Sequence, residues 1–204
     1  MDTQQHTLGD LIAVAAARAI PVVRAIGDEQ LTARTPCADY DVKDLVNHLF
    51  HVVVQFQSLA AKEGADFTST PDRVAQGADW RERFADEADG LVGAWSAPGA
   101  DEGTTGAMGL PAATVGAMVL LDLTVHAWDL ARATGQEYGT ADGDMLRVLD
   151  VLWGAVGEMA PMARAMGMFG DPVPVPEGAS TFERLLAGTG RDPYAHAVLG
   201  GPQE

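Results

Sequence analysis

The stretch from Ala113 to Thr134, ATVGAMVLLDLTVHAWDLARAT, constrains the fold more than any other. It is apolar on almost every side, which marks a helix enclosed by other helices rather than laid on a surface. Asp122, His126 and Asp129 interrupt it. At ~100° per residue these three fall within about 60° of one another, on one stripe. A carboxylate and an imidazole in a buried setting need a partner, because an unpaired buried charge is costly or shifts its pKa until it is neutral. A metal ion is one such partner. The rest of the chain is expected to build a helical bundle around the stripe.

The flanking sequence supplies the helices. Leu8, Leu11, Ile12, Ala15, Ala19, Val22 and Val23 recur at helical spacing, so Leu8–Ile26 reads as an amphipathic helix with Pro21 near its end and His6 exposed before it. A loop follows to Tyr40, and Asp41 with Asp44 signals a new helix start. The second helix, about Val42–Lys62, buries Val42, Leu45, Val46, Leu49, Val52, Val53, Phe56 and Leu59. His48 lies about 90° from the centre of that face, and His51 about 150° from it. His48 is therefore expected at the core boundary and His51 toward solvent. Arg73–Trp95 reads as a third helix with a weak point near Gly77 and Trp80. Ala97–Pro111 is a Gly-rich connection with room for two strand-like residues, but no alternation runs long enough to predict a sheet.

Beyond the central helix, Gly135 is a natural helix stop. Helix five is expected over Asp144–Met166, with Leu146, Leu149, Val151, Leu152, Val156, Met159 and Met162 buried and Pro161 kinking it. From Gly167 the character changes to a Pro-stiffened arm. Ser180 and Glu183 form a capping box for a short helix, Thr181–Ala187, and Gly190-Arg191-Asp192-Pro193 reads as a turn before a loose end. The expected organisation is a helical bundle over residues 1–167, with the arm of residues 168–204 packed on the same domain.

Composition narrows the function classes. The formal charge of −16, from 29 acidic against 13 basic side chains, repels nucleic acid and anionic membranes. Neither is expected as a partner. The longest apolar runs read as too short or too interrupted to span a bilayer, and MDTQQHTLGD lacks the basic start of a secretory signal. A single cysteine, Cys37, excludes an internal disulfide framework and a cysteine-rich zinc site. A soluble cytoplasmic protein is the expectation.

The chemistry resides in the D-x-x-x-H pair, Asp122 and His126, which sets two ligand side chains one turn apart on one face. A zinc site would need a third ligand from the remaining inward candidates, His48 or Asp129, since His196 lies in the tail and His51 points away. Three protein ligands leave a position open, which is the catalytic pattern. Tyr or Ser partners to His126 are the metal-free alternative. Asp129 orients an imidazole, pairs with Arg132 or caps a neighbouring helix. Trp128 is expected in the core, and Cys37 as an incidental thiol.

Three motifs, TPCADYDVKDLVNHL, LLDLTVHAWDLARATGQ and FGDPVPVPEGASTFERLLAGTGRDP, occur in this order. Together they resemble an actinobacterial family of metal-binding proteins in the DinB-like superfamily, related to the N-terminal domain of mycothiol-dependent maleylpyruvate isomerase. The resemblance covers nearly the whole chain. It implies an all-α, DinB-like four-helix bundle, here with an additional short helix and an extended C-terminal arm. It also implies a divalent metal, usually zinc, held by His48, Asp122 and His126; nickel is the alternative metal, and the spacing of Asp129 from His126 suits it to stand behind that ligand. The isomerase carries Glu where this chain has Asp122, a side chain shorter by about one bond, which bears on metal choice and affinity. The isomerase also has a separate C-terminal domain that residues 168–204 do not obviously supply, so its activity is not carried over.

The expected function is a divalent-metal-binding bundle that uses mycothiol or another small thiol against an electrophile, as a transferase or isomerase. A non-catalytic metal- or ligand-binding bundle is the alternative, and a metal-free polar network, such as an oligomer interface, is a third reading. A homodimer is left open.

Overall fold

The computed structural model describes residues 6–107 and 109–195, whose secondary structure is helical apart from a minimal two-stranded hairpin. The helices are α1 (Leu8–Arg24), α2 (Val42–Ala60), α3 (Trp80–Trp95), α4 (Ala112–Ala133), α5 (Gly143–Ala165) and α6 (Thr181–Gly188). Their starts follow from local chemistry. The Thr7 hydroxyl accepts from the Asp10 N–H while Asp10 accepts from the Thr7 N–H. Asp41 caps α2 by accepting from the Asp44 N–H, and Asp142 caps α5 through Met145. Ser180 and Glu183 close the box at α6 that their spacing predicts. Each such cap satisfies backbone donors that a helix start leaves bare, a contribution of about 1 kcal/mol.

Helices α1 to α4 form the four-membered bundle, in which α1 and α2 each pack between α3 and α4. Helix α5 lies outside, against α1 and α4, and α6 packs on α5. The core is continuous, running from Ile12, Leu45, Leu49, Phe50, Phe84 and Leu91 through Leu120, Leu123 and Leu130 to Leu152 and Leu185. Close approach of α4 to its neighbours requires Gly116, where a Cβ would stand 2.1 Å from Leu8 Cδ2 and 2.8 Å from the Trp95 ring.

Helix α4 is buried on nearly all sides, as its composition demands. At 22 residues it is long and apolar enough to cross a membrane by length and composition, contrary to the sequence expectation, but 78% of its apolar 18-residue window is buried inside the bundle.

Other expectations need correction. The third helix begins at Trp80, and Val74–Gln76 is a separate 3-10 turn, so the weak point near Gly77 is a true break. Asn47, buried on α2, holds that turn by accepting from the Val74 N–H at 3.0 Å. The Gly-rich connection contains a minimal antiparallel hairpin, Thr104–Thr105 with Leu110–Pro111, which is too short to show alternation. Helix α5 runs through Pro161. Its buried face is Met145, Val148, Leu149, Leu152, Val156, Ala160 and Ala163, while Leu146, Val151 and Met162 are exposed.

The arm returns to the bundle after α5. Phe182, Leu185 and Leu186 of α6 join the core. The chain on either side of α6 is drawn together where the Val173 N–H donates to Ala187 O and the Gly170 N–H to Thr189 O. At this crossing Gly190 has φ +89°, and a Cβ on it would meet Gly170 Cα at 2.6 Å. Only glycine accommodates both the left-handed backbone and that contact. The crossing sets the direction in which Arg191 leaves the arm. The loose end beyond it, including His196, lies outside the described residues.

Candidate metal centre

Packing of α2 against α4 brings His48 to the stripe. The His48 and His126 rings meet edge to face, with centroids 5.0 Å apart and planes at 85°. One turn back along α4, Asp122 Oδ1 lies 3.8 Å from His126 Nε2. One ligand atom from each of His48, Asp122 and His126 lies within 4.8 Å of the others. Two imidazoles and a carboxylate are donor types that zinc accepts. Among the described residues, neither the His48 ring nor the Asp122 carboxylate has a hydrogen-bond partner, so these donors are not consumed by the fold. The set fits a dication.

Burial pushes the His48 imidazole down to about 4, against the opposing pull of Asp122. It is therefore neutral at physiological pH, with a lone pair to give. The Tyr40 ring stacks on its face, centroids 5.2 Å apart and 21° between planes, which restricts how that imidazole can turn. The Asp122 side chain is 30% exposed against 9% for His126, so the centre opens to solvent on the Asp122 side.

Behind His126 is a second layer. Its Nδ1 lies 3.1 Å from Asp129 Oδ2, and Asp129 is fully buried. Arg191 reaches in from the arm. Its Nη2 donates to Asp129 Oδ2 at 3.0 Å, and its Nε lies 3.3 Å from both carboxylate oxygens. Burial works against the guanidinium charge, yet the facing Asp129 outweighs it and holds Arg191 above its ordinary value. A carboxylate against Nδ1 places the ring proton there and leaves the lone pair on Nε2, the nitrogen that faces Asp122.

Of the roles the sequence offered for Asp129, the structure shows the contact with the imidazole. Arg132 instead donates to the Ala195 carbonyl and sits over the Trp128 ring. Trp128 is buried and meets Phe182 edge to face, as a core residue should. His51 is corrected. It is 6% exposed, with Nε2 2.8 Å from Asp66 O and Phe67 packed against its ring, because the loop after α2 folds over the helix face that periodicity assigns to solvent. Cys37 is not remote, since its sulfur lies within 4.8 Å of donor atoms of His126 and Asp129. Burial pushes its thiol up to about 11.

Sequence reasoning missed Tyr40 and Arg191. Nothing in the spacing marks Tyr40 as a neighbour of His48. Arg191 sits in a Gly-Arg-Asp-Pro segment whose composition indicates a solvent turn.

Comparison with known proteins follows the same residues. Residues 12–131, from early α1 to near the end of α4, match the model of the mycothiol maleylpyruvate isomerase N-terminal domain family. The chain belongs to this family. The matched span contains His48, Asp122, His126 and Asp129, and leaves out α5, the arm and Arg191. Two similar curated proteins come from Mycobacterium tuberculosis, "Uncharacterized protein Rv0738" of strain H37Rv and "Uncharacterized protein MT0763" of strain CDC 1551. Each is 30% identical over 169 residues, which covers 80% of this chain and 86% of theirs. No solved structure matches the chain.

Proposed function

We propose that this protein binds a divalent cation, zinc in the first instance, through His48, Asp122 and His126, and employs it to activate a low-molecular-weight thiol. The observation that carries this reading is the convergence of two imidazoles and a carboxylate, open to solvent on one side, with His48 and Asp122 free of hydrogen bonds to the other described residues. The family description supplies the thiol class, mycothiol.

A dication held by His48, Asp122 and His126 would supply the positive charge that favours the thiolate form of a small thiol at neutral pH. The chain's own groups arrange the rest. Asp122 brings negative charge to the open edge of the centre. His126 presents Nε2 because Asp129 holds its other nitrogen, and His48 stays neutral because it is buried. The electrophile would enter on the Asp122 side. Transfer of the thiol to it, or reversible addition that lets a cis double bond turn trans, are the two reaction types this arrangement suits.

Metal analysis by mass spectrometry tests the reading. Tag-free protein purified without chelator should carry near-stoichiometric zinc or nickel, and His126→Ala should lose it. Metal-loaded protein supplied with mycothiol should then turn over an electrophile, consuming the thiol in transfer and returning it in isomerisation. Metal without turnover would identify a non-catalytic binding bundle. Absence of metal in the wild type, even after incubation with zinc, would sink the reading and leave a polar network.

A further inference from the structure

We propose that Arg191 is a positioning residue of the centre, acting through Asp129 to fix the plane and tautomer of His126, so that the C-terminal arm completes the site. Its consequence for metal affinity rests on the metal reading above; its geometry does not. Arg191 is 8% exposed, Asp129 0% and His126 7%, and the three form one cluster in which Arg191 Nη2 lies 3.0 Å from Asp129 Oδ2 and, more distantly, 3.5 Å from His126 Nδ1. The arm does not need this pair to stay down. Phe182, Leu185 and Leu186 already anchor it in the core, and a buried ion pair adds little stability beyond an apolar pair of similar volume. An apolar pair could not aim a carboxylate oxygen at His126 Nδ1. The guanidinium can, because its rigid fork grips both carboxylate oxygens while Nη1 donates to Thr189 O at 3.2 Å. Thr189 also binds back to the end of α6, with its hydroxyl donating to Leu186 O. The fork is thus fixed at both ends.

Arg191→Lys separates positioning from charge compensation. Lysine keeps a positive charge beside Asp129 but loses the fork. The measurements are nitrogen-15 NMR of the histidines in metal-free protein, which reads the His126 tautomer, and zinc affinity by competition with a chromophoric chelator. In the wild type His126 should show a single tautomer protonated at Nδ1. Arg191→Lys should melt close to the wild type, populate both tautomers and bind zinc about 10- to 100-fold more weakly, the range for loss of a residue that orients a ligand. Arg191→Gln should show the same tautomer mixture, and where it fails to fold the Lys variant carries the test. A Lys variant with the wild-type tautomer and zinc affinity within about twofold of the wild type would overturn the proposal. A wild type that binds no zinc would overturn the metal reading instead, while the tautomer comparison would still decide the role of Arg191.

Discussion

Cys37 shows how position and reactivity separate at the scale of a single side chain. Its sulfur lies among donor atoms of the second layer, yet burial holds the thiol at about 11, so almost none of it is thiolate at neutral pH. Alkylation by iodoacetamide at pH 8 is expected to run roughly a hundredfold slower than for a free cysteine, whose pKa is near 8.5. A rate matching that of a small free thiol would contradict the burial argument. His48 was legible because a boundary angle on an amphipathic helix survives packing. His51 was not, since the loop of residues 61–73 that covers it has no periodicity of its own to announce where it folds. Arg191 was illegible for a related reason. Its partner Asp129 stands 62 residues away, and a turn-like composition says nothing of the core behind it.

Among the elements, α4 was the most readable. A helix apolar all round with a narrow polar stripe has few places to sit other than the middle of a bundle. Helix α5 was half readable. Its apolar residues exceed what one face can bury, so periodicity identified a helix but assigned Leu146, Val151 and Met162 to the wrong side. Trp153, 49% exposed, sits among them. The arm depends on a contact that composition cannot reveal, the backbone crossing of Gly170 and Gly190. Gly190→Ala places a side chain at φ +89° and 2.6 Å from Gly170 Cα. It should destabilise the protein by about 1–3 kcal/mol, read as a lower urea midpoint. Gly178→Ala, where a Cβ meets nothing within 4 Å, serves as the control and should change stability by less than about 0.5 kcal/mol. Equal effects from the two substitutions would show that the crossing is not a constraint.

For the whole molecule, the buried neutral His48 links the bundle to pH. Its imidazole titrates near 4 in the folded state and near 6.5 when the chain is unfolded. Between these values the unfolded chain binds the extra proton, so stability falls as pH falls. The contribution is intact above about pH 6.5 and lost by about pH 4. Metal-free protein should be less stable at pH 5 than at pH 7 by about 2 kcal/mol, and His48→Gln should remove most of that difference. Equal pH slopes for the two proteins would refute the assignment.

The ion pair between Arg191 and Asp129 also gives the molecule an order of assembly. Asp129 leaves the ribosome 62 residues before its counter-ion does. At roughly 5–20 residues per second, that is a delay of about 3–12 s. During that interval a nascent bundle of α1 to α4 can gather His48, Asp122 and His126, with the Asp129 carboxylate held by the His126 imidazole alone. Emergence of Arg191 then adds the second partner of Asp129 and closes the network behind His126.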